Sequence, residues 1–403
     1  MIPVAEAEAR IRSALVPTPV EWVALEAAAG RVLAADLPAL RDQPAATISA
    51  MDGYAVRAAD LADGQAVRVV AHVAAAGQPA GPPLAPGEAA RIFTGGLLPE
   101  GADSILIQEH AGRDGDRLAT ETPPRPGQHV RVRGLDFTTG TRVLQAGAEL
   151  GARRLALAAS LGHGHVPVHR RPRIGIACTG DELVRPGTAT AAHQIPNSNA
   201  LAIAAATCAF GGEPVDLGIV GDDRASLGAM IDAAQGLDLL VTSGGASVGD
   251  HDLVAEVLGS RGLELDFWKI AMRPGKPLLF GRLDRVPVLG LPGNPVSTVI
   301  CCLVFLRVAI QRLSGLPATP LPRATAELDG ALGANEHRQD FVRATLREAE
   351  DGRLRVQPAS IQDSSMLTTL ARADALIVRP PFDPARPAGS LVSVLPLDFM
   401  TGF

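Results

Sequence analysis

The stretch Leu237–Asp252, LDLLVTSGGASVGDHD, limits the fold more than any other part of the chain. Leu237 to Val241 is a short apolar run, the pattern of a strand buried on both faces of a parallel sheet. Thr242-Ser243-Gly244-Gly245-Ala246-Ser247 follow, small and glycine-rich. Such a turn lets backbone N–H groups come close to an anion. Asp250 and Asp252 then stand where a helix would begin. Carboxylates beside a phosphate-type loop suit a hard cation such as Mg2+, which takes oxygens from protein and phosphate alike. A plain strand-to-helix turn capped by Asp has the same composition, so this stretch alone leaves both readings open.

The flanking sequence repeats the pattern. RIGIAC, starting at Arg173, leads into Thr179-Gly180-Asp181-Glu182. Asn197-Ser198-Asn199 predicts a capped helix running to about Phe210. PVDLGIV ends at Gly221-Asp222-Asp223, and ASLGAMIDAAQ reads as the next helix. DLVAEVLGSRG reads as a third. Strand and helix alternate, which predicts a parallel sheet with right-handed crossovers. Ligands in such sheets gather at the carboxyl ends of the strands. Three strands ending in TGDE, GDD and SGGASVGDHD place a candidate site on that edge.

Two further loops fit an anion. Arg273 and Lys276 flank Pro274-Gly275, which holds two cations on a stiff turn. Pro292, Gly293 and Pro295 shape a tight loop before a helix that carries Ser297 and runs to about Leu313. A helix N-terminus after such a loop favours an anion, although proline also simply starts helices.

The rest of the chain has another character. Residues 4–14 predict an amphipathic helix, and VEWVALEAAAGRVLAADL a strand and then a helix. From about 66 to 140, short alternating strands broken by Gly and Pro predict a small β-rich unit. Its flank carries Met51-Asp52-Gly53-Tyr54, and Thr94 sits at the mouth of a glycine turn in RIFTGG. Arg131, Arg133 and Asp136 read as a surface ion-pair set. Residues 150–162 predict a helix stopped by glycine. His163 and His165 alternate but lack a third metal ligand. From Pro317 onward a hairpin around Glu350-Asp351-Gly352 and the strands ADALIVRP and GSLVSVLPL predict a second β unit.

Composition removes several function classes. Aromatics make up 3% of the chain and the net charge is −6, so neither base-stacking platforms nor a basic surface for nucleic acid or membrane is expected. The longest strongly apolar run, Val299–Leu306, is short for a bilayer. Four cysteines in apolar contexts, with no C-x-x-C pair, fit buried reduced thiols and a cytoplasmic protein. Glu6, Glu8 and Arg10 stand where an export signal would need an apolar core.

Seven motifs occur in a fixed order: MDGYAVR, RIFTGG, GADSILIQE, TGDEL, SGGASVGDHD, RPGKP and LPGNPVS. In that order the chain resembles the molybdopterin molybdenumtransferase family, known as MoeA, and with it the gephyrin E domain. The resemblance implies an α/β multidomain fold. A central three-layer α/β/α parallel-sheet domain that binds molybdopterin spans 173–316. A discontinuous N-terminal domain spans 1–45 plus 141–172, a β-rich insertion 46–140, and a C-terminal β-barrel-like domain 317–403. It further implies a homodimer whose cleft is shared between subunits, and insertion of molybdate into adenylylated molybdopterin with release of AMP. Docking of a molybdopterin adenylyltransferase and of molybdoenzyme maturation partners would accompany that role.

The same resemblance assigns roles to residues of this sequence. Asp222, Asp250, Asp252 and Glu182 would place Mg2+ on the pyrophosphate. Gly244, Gly245 and Ser247 would donate to the pterin-side phosphate, and Thr179, Gly180, Asp181 and Ser243 would also bind substrate. Arg273, Lys276, Ser297, Arg343 and Ser364 would form the molybdate pocket, the last two placed by RQDFVR and QDSS, and Pro292 and Pro295 would also bind substrate. Asp52, Thr94 and Asp136 would come from the partner subunit to orient the nucleotide half or a water. The chain departs from the family where many members carry Lys, at Arg273, and where QDSS replaces a glycine after Gln. His251, between the two aspartates, reads as a solvent-facing side chain. An adenylyltransferase or a competence-associated nucleotide hydrolase would match only the sheet domain. A scaffold would have no need for Asp222, Asp252, Lys276 and Ser297 together.

Overall fold

The computed structural model describes residues 1–244, 257, 259 and 261–397. Its centre is a six-stranded sheet in the order Glu213–Val220, Arg173–Thr179, Leu239–Ser243, Val286–Leu291, Leu279–Leu283, Leu263–Trp268. The first four strands are parallel, as the strand–helix alternation predicts. Leu279–Leu283 runs antiparallel to both its neighbours, Val286–Leu291 and Leu263–Trp268, which the alternation did not predict. The physical reason lies at Asp284-Arg285. Only these two residues separate Leu283 from Val286, and Asp284 has φ +52. So short a connection joins antiparallel neighbours only, and its first residue must take a left-handed conformation.

Both faces of the sheet are covered. On one, Ile174, Ile176, Val241 and Leu289 pack with Ile203, Val296, Ile300 and Leu303 from the helices Ser198–Ala209 and Pro295–Leu313. On the other, Ala177, Leu240 and Val288 pack with Leu227, Met230 and Ile231 from the helix Arg224–Ala233. Burial on both faces explains why these strands read as continuous apolar runs. The helix Pro295–Leu313 is long and apolar enough to cross a membrane, but 83% of its apolar window is buried inside the protein, where it serves as a core helix. The N-terminal helix Val4–Ala14 joins the same core through Val4, Ala7 and Ile11, one apolar stripe at helical spacing.

A second six-stranded sheet holds Gly53–Val56, Val67–Ala74, Glu88–Ile92 and Ser104–Ile107 with two short strands. The chain before and after it is stitched together: Val20–Ala24 pairs with His165–His169, and Leu37–Pro38 with Arg142–Leu144. The helix expected after the strand in VEWVALEAAAGRVLAADL does not form. Leu25–Ala27 is one 3-10 turn, Gly30 turns the chain at φ +68, and Val32 and Leu33 bridge to Glu149 and Val168. Burial of Val32 and Leu33 beside those partners, and of Leu37 beside Leu144, overrides the local helix preference.

Near the C-terminus five strands close into a barrel, in the order Gln339–Glu348, Leu354–Pro358, Ala324–Leu328, Leu391–Pro396, Ala375–Arg379 and back to Gln339–Glu348. The expected hairpin around Glu350-Asp351-Gly352 is the pairing of the first two. Met272–Arg273 attaches to the barrel as a short parallel strand beside Gln339–Asp340. Cys178, Cys301 and Cys302 are buried free thiols, and burial pushes the Cys178 thiol up to about 11. Cys208 is exposed, contrary to the expectation from its apolar neighbours, because it lies on the outer side of its helix.

Candidate functional site

The carboxyl edge of the parallel strands is built from close-packed loops. Gly244 has φ +94, and a Cβ there would lie 2.4 Å from the Thr179 carbonyl oxygen. Two strand ends meet at this point, and only glycine fits. At Gly180 the Glu182 carboxylate folds back so closely that a Cβ would lie 2.5 Å from it. The Thr179 hydroxyl is buried and has no partner among the described residues. Asn199 donates to Ser243 Oγ (2.9 Å) and to the Gly293 carbonyl (2.8 Å), and Ser243 donates to the Pro292 carbonyl (3.2 Å). The end of the strand Leu239–Ser243 and the Pro292–Pro295 loop are thereby tied together. Asn199 entered the sequence reading only as a cap; its side chain supplies the tie.

The two aspartates of the GDD loop have different tasks. Asp223 caps Arg224–Ala233, accepting from the N–H groups of Ala225 and Ser226 (2.9 Å each) and from Ser226 Oγ (2.6 Å). These bonds hold its carboxyl below the usual range. Asp222 gives its N–H to Asp181 Oδ1 (3.2 Å), so Asp181 ties two loops together. Gly245, Ser247, Asp250, His251 and Asp252 lie outside the described residues. Among the described residues, no three His, Cys, Asp or Glu side chains gather as metal ligands.

A cavity of about 310 Å³ opens where the Arg273 turn meets the barrel, lined by Arg273, Asp340, Arg343 and Gln362 among others. Arg273 donates to Asp340 through Nε (2.9 Å) and Nη2, a two-point grip. Arg343 is 1% exposed. Its Nε donates to Gln362 Oε1 (3.0 Å) and its Nη1 to the Asp363 carbonyl (2.8 Å). Burial lowers its pKa, with Asp363 acting against that. Gln362 donates back to the Arg343 carbonyl (2.9 Å). Asp340 and Gln362 escaped the sequence reading, although both stand beside assigned residues, in RQDFVR and IQDSS. Lys276 is exposed on the same turn and does not line this cavity. Ser297 is buried in the first helical turn after Pro295. Ser364 Oγ accepts from Asn294 Nδ2 (2.9 Å), and its carbonyl accepts from Val296 N–H (3.2 Å). That pair ties the sheet edge to the barrel.

Asp52 and Thr94 form a separate unit. Gly53 pairs with Ile92, which puts the residues flanking the two strands side by side. Asp52 Oδ1 accepts from Thr94 N–H (2.7 Å) and Oγ1 (2.8 Å), and these bonds hold its carboxyl below the usual range with help from Arg91. Arg91 lies over the Phe93 ring (4.7 Å) and the Tyr54 ring (5.2 Å) and donates to Gly53 O (3.0 Å) and Gln108 Oε1 (2.8 Å). Asp136 is exposed and gives its N–H to Gln43 O (2.9 Å). The expected Arg131–Arg133–Asp136 ion-pair set does not form: Arg133 pairs with Asp42, far away in sequence. Among the described residues, no hydrogen bond or ion pair joins Asp52, Thr94 or Asp136 to the sheet edge or to the arginine-lined cavity.

Comparison with known proteins covers nearly the whole chain. Residues 2–162 match the MoeA N-terminal region (domain I and II), residues 175–312 a probable molybdopterin binding domain, and residues 325–397 the MoeA C-terminal region (domain IV). A molybdopterin molybdenumtransferase of Nostoc sp. is 37% identical over 392 residues, 94% of this chain and 88% of that one. A protein of the same name from Haemophilus influenzae is 35% identical, with 96% of each chain covered. The crystal structure of a molybdopterin biosynthesis moea protein from Pyrococcus horikosii superposes with a TM-score of 0.83 at 30% identity, covering 98% of this chain and 99% of that one.

Proposed function

The chain belongs to the MoeA family of molybdenum cofactor biosynthesis, and on that premise we propose that it inserts molybdate into adenylylated molybdopterin and releases AMP. One observation carries the proposal. The cavity lined by Arg273 and Arg343 stands beside the sheet edge and is tied to it through Asn294 and Ser364. A seat for a tetrahedral oxyanion thus adjoins a glycine-lined edge suited to a phosphate. Arg273 and Arg343 attract molybdate, and their forks match two oxygens where a lysine offers a point charge. The Thr179 hydroxyl and the backbone at Gly180 and Gly244 receive the pterin-side phosphate.

Mg2+ fits the chemistry of the acidic loops, whose donors are all carboxylate oxygens. Glu182 and Asp222 would hold it together with Asp250 and Asp252, since the described residues do not by themselves complete a ligand set. When bound, the ion would lower the charge on the phosphoanhydride. Thr94 keeps Asp52 ionised and fixes its direction, which suits a carboxylate that orients the nucleotide half or a water.

The separation of the Asp52 unit from the sheet edge within one chain supports a homodimer in which each cleft is completed by the partner subunit. The expected cytoplasmic site and the handover from an adenylyltransferase belong to the same proposal. The decisive assay incubates purified protein with adenylylated molybdopterin, Mg2+ and molybdate, and measures AMP. Molybdate-dependent AMP release is expected; none at any molybdate concentration would overturn the proposal.

A further inference from the structure

We propose that Asp340 sets the affinity of the oxyanion seat, by gripping Arg273 and by cancelling one of the two positive charges that line the cavity. This rests on the oxyanion reading of that cavity given above.

Two guanidinium groups and one carboxylate line the cavity. Each guanidinium is held at two of its three nitrogens. Arg273 uses Nε and Nη2 on Asp340, and its Nη1 has no partner among the described residues. Arg343 uses Nε and Nη1 on Gln362 and the Asp363 carbonyl, and its Nη2 has no partner among the described residues. These contacts fix both groups before any ligand arrives, and the remaining N–H groups are available to an oxyanion. The Asp363 carboxylate is engaged elsewhere, by Ser365 N–H (2.8 Å) and Oγ (2.6 Å). Asp340 is therefore the one acid among the residues lining the cavity, and it is 3% exposed, so water screens its charge poorly.

A dianion in this seat meets two attractions and one repulsion. Removing the Asp340 charge has two opposite effects. Arg273 loses its grip and must be ordered by the ligand, which weakens binding by up to about tenfold. The repulsion from a buried full charge also disappears, and because it acts on both charges of a dianion we take that effect as the larger. Asp340 thus holds the affinity down, as befits a substrate that must be given up to a second one. A lysine at 273 has no planar pair of N–H donors and could not make the same two-point contact to Asp340.

The test is titration of the full-length protein with sodium molybdate, without pterin, across a range of salt. Asp340→Asn should bind at least tenfold more tightly than wild type, with a steeper salt dependence. Asp340→Glu keeps the charge and should stay within threefold of wild type. Arg343→Met should abolish binding in both backgrounds. A second pair covers the event that Asp340→Asn does not fold, judged by circular dichroism. Arg273→Met should weaken binding at least tenfold, and Arg273→Met with Asp340→Asn should recover most of that loss. Unchanged or weaker binding by Asp340→Asn, or no recovery in the double variant, overturns the role of Asp340 while leaving the seat in place. If Arg343→Met leaves molybdate binding intact, the seat itself is refuted, and the role of Asp340 with it.

Discussion

Gly244→Ala gives the sharpest test of how the sheet edge is built. The backbone there has φ +94, which costs an alanine about 1 kcal/mol relative to glycine. The new Cβ would also stand 2.4 Å from the Thr179 carbonyl oxygen and 2.9 Å from its hydroxyl. Neither atom is the far end of a flexible chain, so a strand end must shift, at a cost of about 1–3 kcal/mol. The total of about 2–4 kcal/mol should lower the melting temperature of the unit by roughly 5–15 °C. Gly236→Ala is the matched control: its φ is +79 and its Cβ meets nothing within 4 Å, so it should cost only the conformational part, about 1 kcal/mol. Differential scanning calorimetry compares the two. Equal losses would show that the approach of Gly244 to Thr179 is not what demands glycine. The same shift displaces the Thr179 hydroxyl, so Gly244→Ala should also weaken the pterin substrate more than molybdate.

Other expectations follow from the site. Asp223→Ala removes a helix cap and should cost about 0.5–2 kcal/mol while AMP release stays within a few-fold of wild type, whereas Asp222→Ala should abolish release with little change in melting temperature. Thr94→Val removes a hydroxyl that holds Asp52 ionised, so the acidic limb of the pH–rate profile should move to higher pH; an unmoved limb would deny Asp52 a part in it. Asp42 is held at about 2 by Thr139 and Arg133, below its ordinary value, so its contribution to stability is complete above the ordinary carboxylate range and is lost as pH falls toward 2. Asp42→Asn should therefore flatten the loss of stability below pH ~4, read by acid titration of the circular dichroism signal.

What could be read from the sequence follows from how local each signal is. The strands Arg173–Thr179 and Leu239–Ser243 announce themselves because burial on both faces forces unbroken apolar runs. The cap at Asn197 is equally local, and its side chain accepts from Ala200 N–H as the spacing predicts. The antiparallel wing was hidden because Asp284-Arg285 lacks the glycine that usually marks so tight a turn. GRVLAADL looked helical by composition and became extended because its partners, Glu149 and Val168, lie more than a hundred residues away. A separation of 91 residues likewise concealed the Arg133–Asp42 pair. Arg273 and Arg343 were found through motifs, but Asp340 and Gln362, which aim them, look like any other polar residue until the barrel closes.

The short strand Met272–Arg273 has a mechanical consequence. Along the chain it belongs to the sheet, but its ladder partners are Gln339 and Asp340 of the barrel. Arg273 therefore has its backbone and its side chain both fastened to the barrel, as Arg343 does. If the two bodies rock against each other, the arginines travel as a fixed pair, and any change in their spacing to Ser297 on the helix Pro295–Leu313 must work against the Ser364 contacts to Asn294 and Val296. Grip on an oxyanion and its delivery to the pterin would then be separate degrees of freedom, the first rigid and the second adjustable.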